Sequence, residues 1–185
     1  PKHNVTWIAD FRDPWSKWDM LDRLKVSRLA KLIHRILEKR VLKNADLTLA
    51  TSKRQAEDFR ALGADTVAFI TNGFDELISV ENTQSTSEKF VISHIGLLSE
   101  IRNPSLLWEV LDELCNENQG FKNHLSIRLG GIISEAVLND VNRYDKLRGN
   151  LTVLDYIPHQ EIYEEYSKAA VLLLINNNSD NSRSI

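Results

Sequence analysis

The sequence predicts an α/β protein built as two consecutive units, each a parallel sheet with helices on both faces. Three observations predict it. Short apolar runs of strand length alternate with amphipathic helical stretches along nearly the whole chain. The alternation stops at residues 76–88, ELISVENTQSTSE, which lose periodicity and are rich in Ser, Thr, Asn and Glu. Beyond that stretch, the four expected strands each run into a loop of chemically versatile residues. The boundaries expected are therefore 1–75 for the first unit, 76–88 for a linker and 89–185 for the second.

In the first unit, His3–Ala9 reads as a short strand and DFRDPW, from Asp10, as a compact loop. Val26–Asn44 reads as a helix. Its Val26, Leu29, Leu32, Ile33, Ile36, Leu37, Val41 and Leu42 recur at three- and four-residue spacing, the stripe of a core-facing helix. Asp46–Ala50 is the next strand. Ser52 with Gln55 resembles a capping box opening a helix that Gly63 ends. Val67–Ile70 is strand, and Asn72-Gly73 turns the chain. In the second unit the order is strand Lys89–Ile95, a turn at Gly96, helix Pro104–Asn118, strand His124–Leu129 and helix Ser134–Arg143. Strand Leu151–Leu154, helix His159–Lys168 and strand Ala170–Ile175 follow.

Composition narrows the function classes. The chain has 185 residues, 42% apolar and 26% charged, which is ordinary for a globular protein with a substantial core. A net charge of −3 gives no chain-wide bias toward nucleic acid, and aromatics are not interleaved with the cations as a base-stacking surface requires. Cys115 stands alone, so no internal disulfide forms, and a reducing, cytoplasmic setting is expected. No apolar run approaches the roughly 20 residues that span a bilayer, and no signal-peptide pattern opens the chain. The first residue is not Met and the last ten are NNSDNSRSI preceded by Asn, so the chain reads as part of a larger protein.

The stretch Phe90–Leu114 carries the most chemistry. A buried strand, Gly96, a loop with Arg102 and Asn103, and a helix opening at Pro104 place a cation and free helix N–H groups at the carboxyl end of a strand. Arg102 offers a bidentate fork for phosphate, or is a solvated loop residue. Asn103 and Pro104 suit helix initiation. Gly130-Gly131 allows a ligand close to the backbone, or serves a tight turn. Tyr156, Ile157, Pro158 and His159 form either a slot for a planar base or a simple helix start. The polar end NNNSDN lines a sugar pocket or frays. In the first unit Asp10, Arg12 and Asp13 gather after a strand, where they face an active site or pair with one another in a turn. No further ligands with recognisable spacing accompany these carboxylates, so no metal is expected. Residues Lys17–Lys43 hold nine Lys and Arg against three Asp and Glu, with Trp15 and Trp18 nearby. Such a basic amphipathic helix suits an anionic membrane surface, or is a solvated face.

Together these pieces resemble family 4 glycosyltransferases of the GT-B fold. The segments are EKRVLKNADLTLATSKRQAEDF from Glu38, ITNGFDE from Ile70, HIGLLSEIRNPSLL from His94 and VLDYIPHQEIYEEYSKAAVLLL from Val153. The resemblance implies two Rossmann-like half-domains, both incomplete, the first acceptor-side and the second nucleotide-sugar-binding. It implies a metal-independent, retaining transferase without cofactor, moving sugar from a UDP- or GDP-sugar to a glycan or lipid-linked acceptor. Its donor-binding residues would be Gly96, Arg102, Asn103, Gly130, Gly131, Tyr156, Ile157, Pro158 and His159, with Asp10, Arg12 and Asp13 as cleft candidates. Relatives often carry basic residues where Leu97 and Asn103 stand, and a His near Asp10; their acidic donor-sugar motif would fall past Ile185. The chain alone is therefore expected to be inactive. An NDP-sugar 2-epimerase and a non-catalytic nucleotide- or membrane-binding module are the alternatives. The expected location is the cytoplasm, with peripheral attachment to the inner face of the cell membrane through Lys17–Lys43.

Overall fold

The computed structural model describes residues 5–18, 21, 24–73 and 88–177. They fall into two compact units: one holds the described residues through Gly73 together with Asn177, the other Glu88–Asn176. Apart from Glu88, the expected linker lies mostly outside the described residues, as do residues 178–185 of the polar end.

The first unit is a parallel sheet of β1 (Ile8–Phe11), β2 (Leu47–Ala50) and β3 (Val67–Phe69) in that order, with α1 (Arg28–Asn44) and α2 (Lys53–Leu62) between the strands. The strand expected at His3–Ala9 instead begins at Ile8 and takes in Asp10 and Phe11. Phe11 explains the shift. Its ring is buried, with its centroid 4.9 Å from that of Phe59 and 5.6 Å from that of Trp15, so the start of the expected loop is drawn into the sheet. Ser52 caps α2 as expected, its Oγ accepting from the Gln55 N–H at 3.2 Å, and Gly63 ends it at φ 103°.

Helix α1 buries only the end of the stripe its apolar spacing predicts, Leu42 and the partly buried Val41. Leu29, Leu32, Ile33, Ile36 and Leu37 are 46–67% exposed, whereas Glu38 and Leu42 are fully buried. Glu38 is held on the buried side by its carboxylate. It accepts hydrogen bonds from the backbone N–H groups of Trp15 at 2.8 Å and Ser16 at 3.2 Å, and from the Ser16 hydroxyl. An ionised carboxylate leaves water only for several such donors, and these tie the loop after β1 to that side of the helix.

The second unit is a four-stranded parallel sheet in the order β6 (Leu151–Leu154), β5 (Leu125–Ile133), β4 (Phe90–Leu98), β7 (Val171–Leu172). Between them run α3 (Ser105–Glu117), α4 (Gln119–His124), α5 (Glu135–Asn142), α6 (Asp145–Arg148) and α7 (Ile162–Ser167), with 3₁₀ turns at Glu100–Arg102 and His159–Glu161. The short α4 and α6 are not among the expected elements, and β7 covers two residues of the expected Ala170–Ile175. One face of β4 and β5 (Ile92, Leu98, Leu125, Ile127, Leu129) packs on Trp108, Leu111, Val137, Val141 and Leu147. Arg128 alternates with that set and meets Glu165 of α7 at 2.6 Å on the other face. Burial pushes the Glu165 carboxyl upward, but hydrogen bonds from Lys168 and Arg128 outweigh it and hold the group below its usual range.

The turn expected at Gly96 is not formed, and of the two readings of Gly130-Gly131 the turn is not formed either. Both lie inside strands and face each other, Ile95 opposite Gly130 and Gly96 opposite Gly131. A Cβ on Gly131 would stand 2.5 Å from the Gly96 carbonyl oxygen, and Gly131 has φ 95°. Glycine here permits the close approach of two strands, which therefore stay paired through Leu98 and Ile133.

Candidate functional site

In the second unit, β4 has β5 on one side and β7 on the other, so the winding reverses at β4. The carboxyl end of such a sheet, at the reversal, is where open α/β folds receive ligands. There the chain leaves Leu98, makes the 3₁₀ turn containing the half-buried Arg102, and enters α3 through Pro104. The Pro104 carbonyl accepts from the N–H groups of Leu107 and Trp108 at 2.8 and 3.3 Å. Among the described residues no side chain caps α3, and no acidic residue stands in its first turn. Its amino end therefore presents positive potential and backbone donors suited to an anion.

Other expected donor-site residues divide by what they touch. Asn103 is engaged at both ends of its amide: Nδ2 donates to Asp140 at 2.6 Å and Oδ1 accepts from Trp108 Nε1 at 2.8 Å. It fastens the loop to α5 and α3, while Pro104 takes the cap position. Gly96, Gly130 and Gly131 lie side by side, and Ile157 reaches Gly130, where an added Cβ would be 3.1 Å from its Cδ1. Tyr156 is 86% exposed, and His159 opens the second 3₁₀ turn with its ring edge-on to Tyr163.

Sequence reasoning passed over two residues here. His94 is buried on β4 with Nδ1 3.0 Å from the Leu173 carbonyl oxygen, so Nδ1 is assigned the proton and donates. Among the described residues its Nε2 has no hydrogen-bond partner, and neither has the buried Ser134 hydroxyl just before α5. The available signal was a histidine inside the apolar run FVISHIGLL.

The first unit has its own pocket at the carboxyl ends of β1–β3, about 250 Å³ in volume. Asp10, Arg12, Thr51 and Asn72 line it with Leu49 and Ile70. Arg12 Nε lies 3.7 Å from Asp10 Oδ2, and Arg12 Nη1 donates to Asn72 Oδ1 at 3.2 Å. The Arg12 carbonyl is 3.3 Å from both the Thr51 hydroxyl and Gln55 Nε2. Asp10 and Arg12 thus come together as grouped in the sequence. Asp13 does not line this pocket; it borders an apolar groove of about 980 Å³ with Trp7, Phe11, Trp15, Trp18 and Leu37. Asn72 was read only as part of a turn, and Thr51 was given no role.

No protein-family model and no curated protein matches the chain. Solved structures do. TarM of S. aureus, in a complex with Fondaparinux, alpha-GlcNAc-glycerol and UDP, matches 92% of the chain with a TM-score of 0.64 at 10% identity. Sucrose-phosphate synthase from Thermosynechococcus elongatus matches 92% with a TM-score of 0.58 at 16% identity. Anabaena HepE in complex with UDP matches 89% with a TM-score of 0.58 at 15% identity. The fold is that of the GT-B glycosyltransferases. The chain spans 32%, 44% and 45% of the lengths of these three proteins, so it represents a part of a GT-B fold.

Proposed function

We propose that this chain is part of a nucleotide-sugar-dependent glycosyltransferase whose second unit binds the donor. The fold shared with proteins solved with UDP, over 92% and 89% of the chain, supports this. So does the uncapped amino end of α3 behind Arg102. The donor diphosphate would lie against that helix start and the Arg102 guanidinium, which stabilise the charge that develops on the leaving group. The backbone of Tyr156–His159 would hold the base, with Gly96, Gly130 and Gly131 leaving room for the nucleotide. The sugar, carried on UDP or GDP, would pass with retention and without a metal to a hydroxyl of a glycan or lipid-linked acceptor. Asp10, Arg12 and Asp13 belong to the acceptor side.

Titration calorimetry with UDP and GDP tests the donor assignment. One of the two is expected to bind, and Arg102→Ala is expected to weaken it about tenfold or more. Absence of binding by the wild-type protein overturns the assignment.

A second observation favours attachment to an anionic membrane surface, at the inner face of the cell membrane. The exposed stripe Leu29, Leu32, Ile33, Ile36 and Leu37 shares α1 with Arg28, Lys31, Arg35, Lys39, Arg40 and Lys43. Apolar residues flanked by cations suit insertion among acidic headgroups. Among the described residues no helix is long and apolar enough to cross a membrane. Flotation with phosphatidylserine vesicles is expected to carry the protein, and Leu32→Glu with Ile36→Glu to release it. Equal flotation with neutral vesicles counts against the assignment.

A further inference from the structure

We propose that the groove between α1 and the loop after β1 takes up one acyl chain of an anionic membrane phospholipid, with the headgroup at Arg40. The source of that lipid rests on the membrane attachment proposed above; the fit of a single acyl chain to the groove does not.

The walls of the groove are large apolar side chains left partly in water. Trp7, Trp15, Trp18, Leu24 and Leu37 line it and are 40–58% exposed. Gathered around one cavity rather than scattered, they mark a surface that an apolar ligand covers. At about 980 Å³ the groove stands at the upper end of the roughly 300–1,000 Å³ of clefts that enclose small molecules. A second cavity of about 420 Å³ shares Trp7, Trp15, Leu37 and Val41 with it and reaches Arg40 and Asn44. Together the two follow α1 from His34 to Asn44, roughly 15 Å of helix. A space that long and that apolar suits a flexible alkyl chain better than a compact ring.

Charge gives the ligand its direction. Strands β1 and β2 are parallel, so α1 between them runs back from the carboxyl ends of the strands to the amino ends. Asp10 and Asp13 therefore lie toward one end of the space and Arg40 toward the other. Asp10 is already engaged by Arg12 at 3.7 Å, and Lys39 adds positive charge beside Arg40. An anionic headgroup belongs at the basic end, with its acyl chain directed toward Trp18 and Leu24. The tryptophans suit the same ligand, because indole rings settle where hydrocarbon meets headgroups. Leu37 lines both cavities and belongs to the exposed stripe of α1, so the groove opens onto the face proposed above to meet the membrane.

The walls are held in place without a ligand. The N–H groups of Trp15 and Ser16 donate to the buried Glu38 carboxylate at 2.8 and 3.2 Å, and the Trp15 ring lies 5.6 Å from that of Phe11. Lys17 Nζ donates to Asp58 at 2.6 Å and fastens the same loop to α2. Little ordering of this loop is left for a lipid to impose.

The test titrates the whole protein with a lysophosphatidylserine whose acyl chain is brominated near its middle, kept below its micelle concentration. Bromine quenches an indole on contact. Saturable quenching of the red-shifted emission of Trp7, Trp15 and Trp18 is expected, while the blue-shifted emission of Trp108, fully buried in the second unit, persists. Each pair of methylenes removed from the acyl chain is expected to weaken binding about fivefold or more. Arg40→Ala is expected to weaken it about threefold to fivefold, and to leave binding of the zwitterionic choline analogue unchanged. Leu24→Glu is expected to weaken it about tenfold or more; Leu24 is exposed, so the fold is not at stake. Leu32→Glu with Ile36→Glu, outside both linings, is expected to leave it unchanged. No quenching, an affinity independent of acyl-chain length, or equal binding by Leu24→Glu overturns the proposal. So does a dimer in sedimentation that Leu24→Glu dissolves, which makes the groove an interface between two copies. Vesicle flotation of the same protein separates the two readings. Quenching by monomeric lipid without flotation leaves the groove standing and removes the attachment of α1, and flotation without quenching does the reverse.

Discussion

Replacing Gly131 by alanine probes the pairing that holds β4 and β5 in register. Two costs add. The residue sits at φ 95°, which a Cβ disfavours by about 1–2 kcal/mol. The new Cβ would also stand 2.5 Å from the Gly96 oxygen and 3.0 Å from its nitrogen, so β4 and β5 must separate by about half an ångström or more. Weakening the two neighbouring ladder hydrogen bonds costs roughly 1 kcal/mol each. The sum is about 3–4 kcal/mol, a large share of the ~5–15 kcal/mol that stabilises a domain. Gly96→Ala is the internal comparison. It meets the positive-φ penalty at 146°, but its Cβ finds only His94 Nε2 at 3.8 Å, an ordinary contact, so the cost stays near 1–2 kcal/mol. Amide hydrogen exchange of peptides covering β4 and β5 reads the difference locally. Equal loss of protection in the two variants, or none for Gly131→Ala, would refute close strand approach as the reason for glycine at 131.

Further outcomes follow from the same geometry. Glu38→Ala should cost on the order of 3 kcal/mol, because the N–H groups of Trp15 and Ser16 lose a charged acceptor, and Glu38→Gln should cost less; thermal unfolding of the first unit measures both. Asn103→Ala should lower the stability of the second unit by about 2 kcal/mol and shift Trp108 fluorescence, since it removes the partner of the indole N–H. Acid should weaken the Arg128–Glu165–Lys168 network. The lowered Glu165 carboxyl stabilises the fold above its unfolded pKa of about 4.3, and this is lost as pH falls through the folded value. The raised Lys168 ammonium contributes fully below about pH 10.4 and loses its effect only as pH rises through its folded value. Urea midpoints of the second unit measured against pH, compared with those of Glu165→Gln, check the acid limb; a parallel slope in the variant removes Glu165 from it.

How far the sequence could be read depended on whether a residue's role is local. Ser52 and Gly63 act on backbone within one helical turn, and both were placed correctly from spacing alone. The turn readings of Gly96 and Gly131 failed because their partner is another strand 35 residues away in sequence, and a glycine suited to a turn is equally suited to close pairing. The α1 stripe held at Val41 and Leu42 and not along the rest of the helix. Periodicity reports that a helix has an apolar side, whereas the burial of Glu38 depends on donors 22 and 23 residues away, which no local pattern shows.

By itself, the sequence determined the α/β class, the alternation of strands and helices, and the position of Arg102 ahead of a helix start. Those follow from hydrophobic period and from turn and cap chemistry, which act between near neighbours. Only the tertiary structure decided that Asn103 fastens a loop to Asp140 and Trp108. It alone joined Thr51 and Asn72 to Asp10 and Arg12 in one pocket. Parallel pairing brings strand ends together across dozens of residues, and no local pattern encodes which side chains meet there.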